Sequence, residues 1–435
     1  MSKLSLARII ALISVMAIGV FFSRLYEPSL SGDALKYALI AKTMLKEGNY
    51  LLPHLGDEPY YKKPPLFFWI MALSFNVFGF NEFAARFPSA LFACFSSLVL
   101  FLLIYEITKN KTISFLSALV FMLNFEVIRI STVVRFESFI LFINLVAILL
   151  LSKRNFLTSL IAGLLSGAAV LVKGPLGILG LTSVFLYSLF SKKREFLIYS
   201  LISLLVAFLL SSIYYIYAYK EYPDFIKEFV SNQILGRING TLKEGTPRSF
   251  FFYERLILKH FWPWNFFLII SFVLLLRRKV SLFSYISNKD LFFIFLTFFF
   301  LTFIPLHFIS LKFSRYSYYV YPILSFVVAL AAFSLKWEKR VILLSGVIFS
   351  TYLLAAAVCP CKFHKDKFKN LRYFTYISQG IVGKLNISKS FPEMEKYFLL
   401  FYFNCWDKNS PYVISKSCQN PILSFKNYCI DKVKK

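Results

Sequence analysis

Along the chain, long apolar stretches alternate with short polar breaks. A helix crossing a hydrocarbon layer of about 30 Å needs roughly 17–25 apolar residues. Stretches close to that length fall at 5–23, 86–106, 112–131, 136–151, 156–172, 175–190, 196–218, 262–276, 290–307, 317–334 and 340–358. The pattern predicts an all-α polytopic membrane protein with about eleven transmembrane helices. The chain opens with Lys3 and Arg8 before its apolar residues, like a secretory signal, but no small-x-small cleavage site follows before Arg24. The first stretch reads as an uncleaved first span.

Three segments break the alternation, and all fall on one predicted side. Residues 24–85 are too polar to span yet rich in aromatic side chains. Within them 34–47 reads as an amphipathic helix, with Leu35, Ala38, Leu39 and Leu45 on one face and Lys36, Thr43 and Glu47 on another. Residues 66–79 form a second apolar piece, too short to cross easily, that suits the membrane interface. The loop 219–261, with Arg237, Gly240, Gly245 and Pro247, has the length and composition of a mobile lid. The tail, 359–435, holds fourteen Lys or Arg against five Asp or Glu and reads as a small extramembrane domain. The expected division is therefore a membrane domain at 1–358, containing the outer loops 24–85 and 219–261, and a C-terminal domain at 359–435.

Charge fixes the expected orientation. With the N-terminus inside, the short inner loops carry Lys109 and Lys111, Lys153 and Arg154, Lys192 to Arg194, Arg277 to Lys279, and Lys336, Lys339 and Arg340. Every one is basic, as the positive-inside rule asks. Eleven spans then leave the C-terminus outside. The chain is 58% hydrophobic and only 16% charged, and its formal charge is +27. Because the cations sit in small clusters between apolar runs, with no nucleic-acid module beside them, the excess points to lipid headgroups or an anionic, phosphate-bearing substrate. Of six cysteines, Cys94 lies in a span and Cys359, Cys361, Cys405, Cys418 and Cys429 lie in the tail. An outside tail could form two disulfides with one thiol to spare, and structural pairing is favoured over metal or redox chemistry.

The ionisable residues on the outer side are the candidates for chemistry. Asp33 opens the predicted amphipathic helix, where a carboxylate serves equally as an N-cap or as an active-site acid held at a helix dipole. Arg135 and Glu137 stand between two spans, at a depth where ionisable groups are rare, though a snorkelling Arg with a nearby carboxylate is the plainer alternative. Lys62-Lys63-Pro64-Pro65 presents two cations from a stiff turn, and Lys173-Gly174-Pro175 places another before a Gly-Pro break. Lys312, Arg315, Tyr316 and Tyr318 form a further basic and aromatic loop. Carboxylates and several cations on one membrane face suit a substrate with a lipid tail, a phosphate and a polar headgroup.

These residues stand in a familiar order. Asp33…Tyr37-Ala38…Gly48-Asn49-Tyr50…Pro53, Pro59-Tyr60-Tyr61-Lys62-Lys63-Pro64-Pro65-Leu66…Trp69 and Phe78-Gly79…Glu82…Ala85-Arg86-Phe87-Pro88 resemble the first outer loop of the bacterial aminoarabinose lipid A transferases. Those belong with the protein O-mannosyltransferases in the C-type glycosyltransferase fold. Arg135-Phe136-Glu137, Gly167…Lys173-Gly174-Pro175, Pro263-Trp264 and Lys312…Arg315-Tyr316…Pro322 extend the resemblance to about residue 325. The tail carries none of it.

The resemblance implies an integral glycosyltransferase of a bacterial inner membrane, with its active site and tail on the periplasmic face. It would move a sugar from a polyprenyl phosphate carrier to an acceptor by inverting single displacement. A phosphorylated glycolipid such as lipid A is favoured as acceptor, with protein Ser/Thr as the alternative. A lipid or sugar transporter is the rival from another class, but it would show internal repeats and charges near the bilayer midplane. By position Asp33 and Glu137 would be the catalytic acids. Lys62 and Lys63 would bind the carrier phosphate, while Arg135, Lys173, Arg237, Lys312, Arg315 and Tyr316 would line the cavity. The chain departs from the family at Ala34, where an acid is usual, and at Asn232, Gln233 and Ile234, where a His is usual. Zinc in relatives uses such an acid and His, so no zinc is expected at that position and no cofactor is predicted, with another divalent metal left open.

Overall fold

The computed structural model describes residues 4–27, 30–56, 58–240, 247–276 and 282–358, and in the tail residues 371, 374–375, 385–387, 392–403, 410, 412–416, 421–425 and 428–432. In chain order the helices are α1 (Leu6–Phe22), α2 (Asp33–Glu47), α3 (Leu66–Phe78), α4 (Glu82–Thr108), α5 (Lys111–Met122) and α6 (Phe125–Ser131). There follow α7 (Glu137–Leu151), α8 (Phe156–Lys173), α9 (Leu179–Ser191), α10 (Arg194–Glu221), α11 (Pro223–Glu228) and α12 (Gly236–Asn239). The last are α13 (Phe252–His260), α14 (Trp264–Leu276), α15 (Lys289–Phe308), α16 (Tyr321–Ser334), α17 (Glu338–Val358) and, in the tail, α18 (Glu393–Tyr402).

Each predicted apolar stretch coincides with helix. Among the described residues, six helices are long and apolar enough to cross a membrane, or seven if one bent pair counts as a single span. α1, α3 and α7 are apolar but shorter. Helix starts are written locally in asparagine. The side-chain oxygens of Asn110, Asn124, Asn155 and Asn288 accept from the free backbone N–H groups that open α5, α6, α8 and α15.

The stretch read as one span at 112–131 is broken within its length. It is two helices, α5 and α6, bent by 62°. Asn124 causes the break, because its carbonyl oxygen caps Val127 N–H and starts a new helix inside the apolar run. The loop 219–261, read as a lid, is largely helical: α10 continues to Glu221, and α11, a π-helical turn at Phe229–Leu235, α12 and α13 follow. The helix expected at 34–47 is α2, but not with the expected faces, since Leu35 and every residue from Tyr37 to Met44 are buried, Thr43 included, while Leu45 is half-buried. The apolar piece at 66–79 is α3.

Residues cluster into two compact units. One contains Met1–Leu25, Tyr61–Phe67 and Phe87–Val358; the other contains Tyr26–Tyr60, Phe68–Arg86 and Cys359–Lys435. In the larger unit α8 and α10 approach closely through glycines spaced four apart. A methyl group on Gly163 would meet Ser203 O at 2.7 Å, and one on Gly167 would meet Ala207 O at 3.0 Å. Ser203 Oγ then reaches across and donates to Ser159 O at 2.7 Å. Small residues let the backbones touch, which is how membrane helices pack without a hydrophobic driving force.

In the smaller unit, the described tail strands form a sheet in the order β3 (Asn386–Ile387), β4 (Tyr412–Ser415), β6 (Tyr428–Lys432), β5 (Pro421–Phe425). β3 pairs parallel to β4, and the other pairings are antiparallel. A short hairpin of β1 (His54–Leu55) and β2 (Glu58–Pro59) lies in the first outer loop. Cys94 is a buried free thiol. Of the five tail cysteines, Cys429 lies in β6 with its side chain outside those described, and the other four lie outside the described residues, so the proposed pairing does too.

Candidate active site

Glu137 is the first residue of α7, so its carboxylate faces the positive end of that helix. The chain ahead of it is pinned to α4. Ser89 Oγ pairs with both the N–H and the carbonyl of Arg135 at 2.9 Å, and Ser138 Oγ donates back to Ser89 O at 2.8 Å. Glu137 is only 1% exposed. A carboxylate buried that deeply needs a charged partner, because desolvating an unpaired ion costs several kcal/mol.

Lys173 supplies it. As the last residue of α8 it sits where the helix dipole favours a cation, and its Nζ donates to Glu137 Oε1 at 2.6 Å. The chain turns sharply after it. Gly174 has φ +67°, and a methyl group there would meet the Phe229 ring at 3.3 Å, so the turn requires glycine on both counts. A 3₁₀ turn at Gly174–Ile178 follows, held by buried Asn144, whose Nδ2 donates to Leu176 O at 3.0 Å and whose Oδ1 accepts from Gly180 N.

The 3₁₀ segment Ser314–Val320 brings the second cation. Arg315 Nε lies 3.9 Å from the same Glu137 oxygen. Lys173 Nζ is 5.2 Å and the Arg315 guanidinium 5.7 Å from the centre of the Tyr316 ring, within cation–π range. Two cations thus share one carboxylate oxygen beside an aromatic face. Glu137 Oε2 is buried and has no hydrogen-bond partner among the described residues. The centre can accept one more donor at that oxygen.

The other expected residues are placed as follows. Lys63 is buried and Lys62 half-buried in the turn before α3, in the same unit as Glu137. Arg135 is half-buried two residues ahead of Glu137. Lys312 is buried, with its ammonium turned to His307 O at 2.9 Å and to Ile309 O, so it caps the end of α15. Arg237 lies in α12, its side chain outside those described. Asp33 belongs to the smaller unit. The N-cap position of α2 is Gly32, at φ 57° and ψ −134°, which makes Asp33 the first helical residue rather than the cap.

One charged cluster was not anticipated. Glu126 of α6 is fully buried, with Oε2 taking Arg129 at 2.6 Å and Oε1 meeting His260 Nδ1 of α13 at 2.7 Å. Arg129 also donates to Ser314 Oγ at 2.6 Å, one residue before Arg315. The sequence did carry a signal, since an acid and a base at i and i+3 inside an apolar stretch are costly unless paired.

The sequence pattern of the dolichyl-phosphate-mannose-protein mannosyltransferase family matches residues 62–217. A protein of Aquifex aeolicus is 30% identical over 251 residues, which cover 56% of this chain and 49% of that one. An undecaprenyl phosphate-α-4-amino-4-deoxy-L-arabinose arabinosyl transferase of Proteus mirabilis is 25% identical over 244 residues, 53% of this chain and 44% of that one. The match therefore spans less than half the length of these relatives. Among solved structures, ArnT from Cupriavidus metallidurans bound to undecaprenyl phosphate superimposes with a TM-score of 0.65 at 16% identity, over 86% of this chain and 70% of ArnT. The fold is that of the C-type glycosyltransferases. In sequence, parts of the chain are similar to that mannosyltransferase family and to the aminoarabinose transferases.

Proposed function

We propose that the chain is an integral-membrane glycosyltransferase that moves a sugar from a polyprenyl phosphate carrier to an acceptor on the periplasmic face, with lipid A or a related phosphorylated glycolipid as acceptor. The observation that most supports this reading is the buried Glu137, shared by Lys173 and Arg315 over the Tyr316 ring. A buried acid beside two cations suits a sugar phosphate, since the cations stabilise a departing phosphate while the acid orients the sugar. The relatives named as undecaprenyl phosphate-linked arabinosyl transferases, and the ArnT structure that holds undecaprenyl phosphate, support the carrier class.

In this reaction the acceptor oxygen attacks the anomeric carbon, and a new C–O bond forms as the bond to the carrier phosphate breaks. The electron pair of that bond leaves on the phosphate oxygen, and the acceptor proton passes to Asp33, which orients the nucleophile. Lys63, with Lys62 beside it in sequence, holds the phosphate, while Arg135, Lys173, Arg237, Lys312, Arg315 and Tyr316 line or support the cavity. Glu137 is the second acid. Inversion at the anomeric carbon follows from the single displacement.

The test is transfer of labelled sugar from polyprenyl phosphate donors, in membranes holding the wild type or Asp33→Asn at equal protein levels. Lipid A and a Ser/Thr peptide serve as alternative acceptors. Transfer to lipid A that disappears in the variant is the expected result. Transfer to peptide alone would replace the acceptor, and persistence in Asp33→Asn would remove Asp33 from the chemistry.

A further inference from the structure

We propose that the tail helix α18 is the positioning element for Asp33, and that it acts through Tyr402, whose hydroxyl ties the approach to α2 to the start of α4. The inference rests on the reading of Asp33 as the reacting carboxylate. Every group it uses lies in the smaller unit.

The Tyr402 hydroxyl sits between two groups that need it. Leu30 N–H donates to it at 2.9 Å, and it donates in turn to Glu82 Oε1 at 2.9 Å. A hydroxyl has one proton to give and lone pairs to receive, so the two bonds are compatible. Leu30 is only 1% exposed, so solvent cannot replace the bond. Two residues later the chain passes Gly32, at a positive φ that side-chain-bearing residues avoid, and Asp33 begins the helix. The direction in which Asp33 leaves this turn depends on where Leu30 is fixed.

The same end of α18 also grips the body of α2. Lys42 Nζ donates to Leu400 O at 2.9 Å and to Phe401 O, two of the carbonyls that a helix C-terminus leaves without an intrahelical partner. Lys42 lies 5.6 Å from the Phe401 ring centre and 5.4 Å from that of Phe80. Nearer Asp33, Lys36 lies 5.6 Å from the Tyr397 ring. A single tail helix therefore holds the approach to α2 at Leu30 and its body at Lys36 and Lys42. A general base must stand within hydrogen-bond reach of its proton, and misplacement by about 1 Å can cost about a hundredfold in rate. The tail thus holds the segment that aims the acid.

Tyr402→Phe removes the hydroxyl and leaves the ring to pack on Phe398 and Phe401, whose centroids lie at 4.6 and 4.8 Å. With the donor that supports transfer in the Asp33 experiment, kcat is expected to fall about ten- to a hundredfold while KM for the donor stays unchanged. Amide hydrogen exchange of peptides covering residues 30–36, measured in membranes without substrate, is expected to be faster in Tyr402→Phe than in the wild type. Glu82→Gln, which keeps an oxygen able to accept from Tyr402, should show a smaller fall in kcat of the same kind. If Tyr402→Phe lowers the midpoint, Glu82→Gln at an unchanged midpoint decides the matter by its kcat. Wild-type kcat in Tyr402→Phe alongside an inactive Asp33→Asn overturns the proposal and leaves Asp33 in place, as does unchanged exchange at 30–36. Activity in Asp33→Asn removes the reading on which the proposal rests, a result distinguishable from either.

Discussion

Removing either half of the Glu137–Lys173 pair should damage the fold far more than removing both. The oxygen and nitrogen are 2.6 Å apart, with the two side chains 1% and 7% exposed. At an effective dielectric of about 20, opposite charges at that distance attract by about 6 kcal/mol, and Arg315 at 3.9 Å adds about 4 kcal/mol. Most of this is offset by the cost of taking the ions out of water, so the pair contributes little net stability. A single truncation keeps the cost and loses the attraction. Lys173→Met leaves Glu137 with Arg315 and the charge of Arg135, without its nearest cation, and Glu137→Leu takes the shared carboxylate from Lys173 and Arg315. Each single variant is expected to lose about 3–5 kcal/mol. The double variant Glu137→Leu/Lys173→Met keeps the volume and removes both ions, and should recover most of that loss. Equilibrium unfolding in mixed micelles measures all four states of the cycle. If the single losses simply add in the double variant, the two charges do not interact as described and the site has been misread. The same variants separate structure from chemistry: a stable double variant that remains inactive in transfer assigns the Glu137–Lys173 pair to the reaction, whereas recovered transfer makes it purely structural.

Two further outcomes are expected. Gly163→Val should separate α8 from α10, because its Cβ would fall 2.7 Å from Ser203 O and 2.8 Å from Val206 Cβ, both fixed by the neighbouring helix. A fall of about 2–4 kcal/mol in the unfolding free energy is predicted, whereas Gly163→Ala should cost about half as much, and equal unfolding of Gly163→Val and wild type would refute the packing. For Lys42, burial is the main cause that pushes its ammonium down from 10.5 to about 7, with Lys46 adding repulsion. Between those pH values the unfolded chain holds a proton that the folded one releases, so stability rises with pH from about 7 to about 10. One proton gives a slope of at most about 1.4 kcal/mol per pH unit. The slope measured between about pH 7.5 and 9 should be smaller in Lys42→Met by up to that amount, and identical slopes would show that Lys42 does not titrate there.

Much of the architecture was already legible in the chain. Apolar length placed the helices of the membrane domain, because a bilayer admits few other ways to satisfy a buried backbone. Asn124 marks the exception, since a local side-chain cap overrode the apolar run and split it into α5 and α6. Residue order alone also singled out Glu137, Lys173, Arg315 and Tyr316 as candidates. It could not show that one carboxylate oxygen takes both cations, or that Lys312 instead caps α15. Glu137, Lys173 and Arg315 are far apart in sequence and meet only where α7, α8 and the Ser314–Val320 turn come together. Glu126 with His260, and Tyr402 with Leu30 and Glu82, were invisible for the same reason. Hydrophobic period and helix caps act over a few residues and so are written locally. Charge pairing and hydrogen bonding between distant segments depend on which helices become neighbours, and only the tertiary structure decides that.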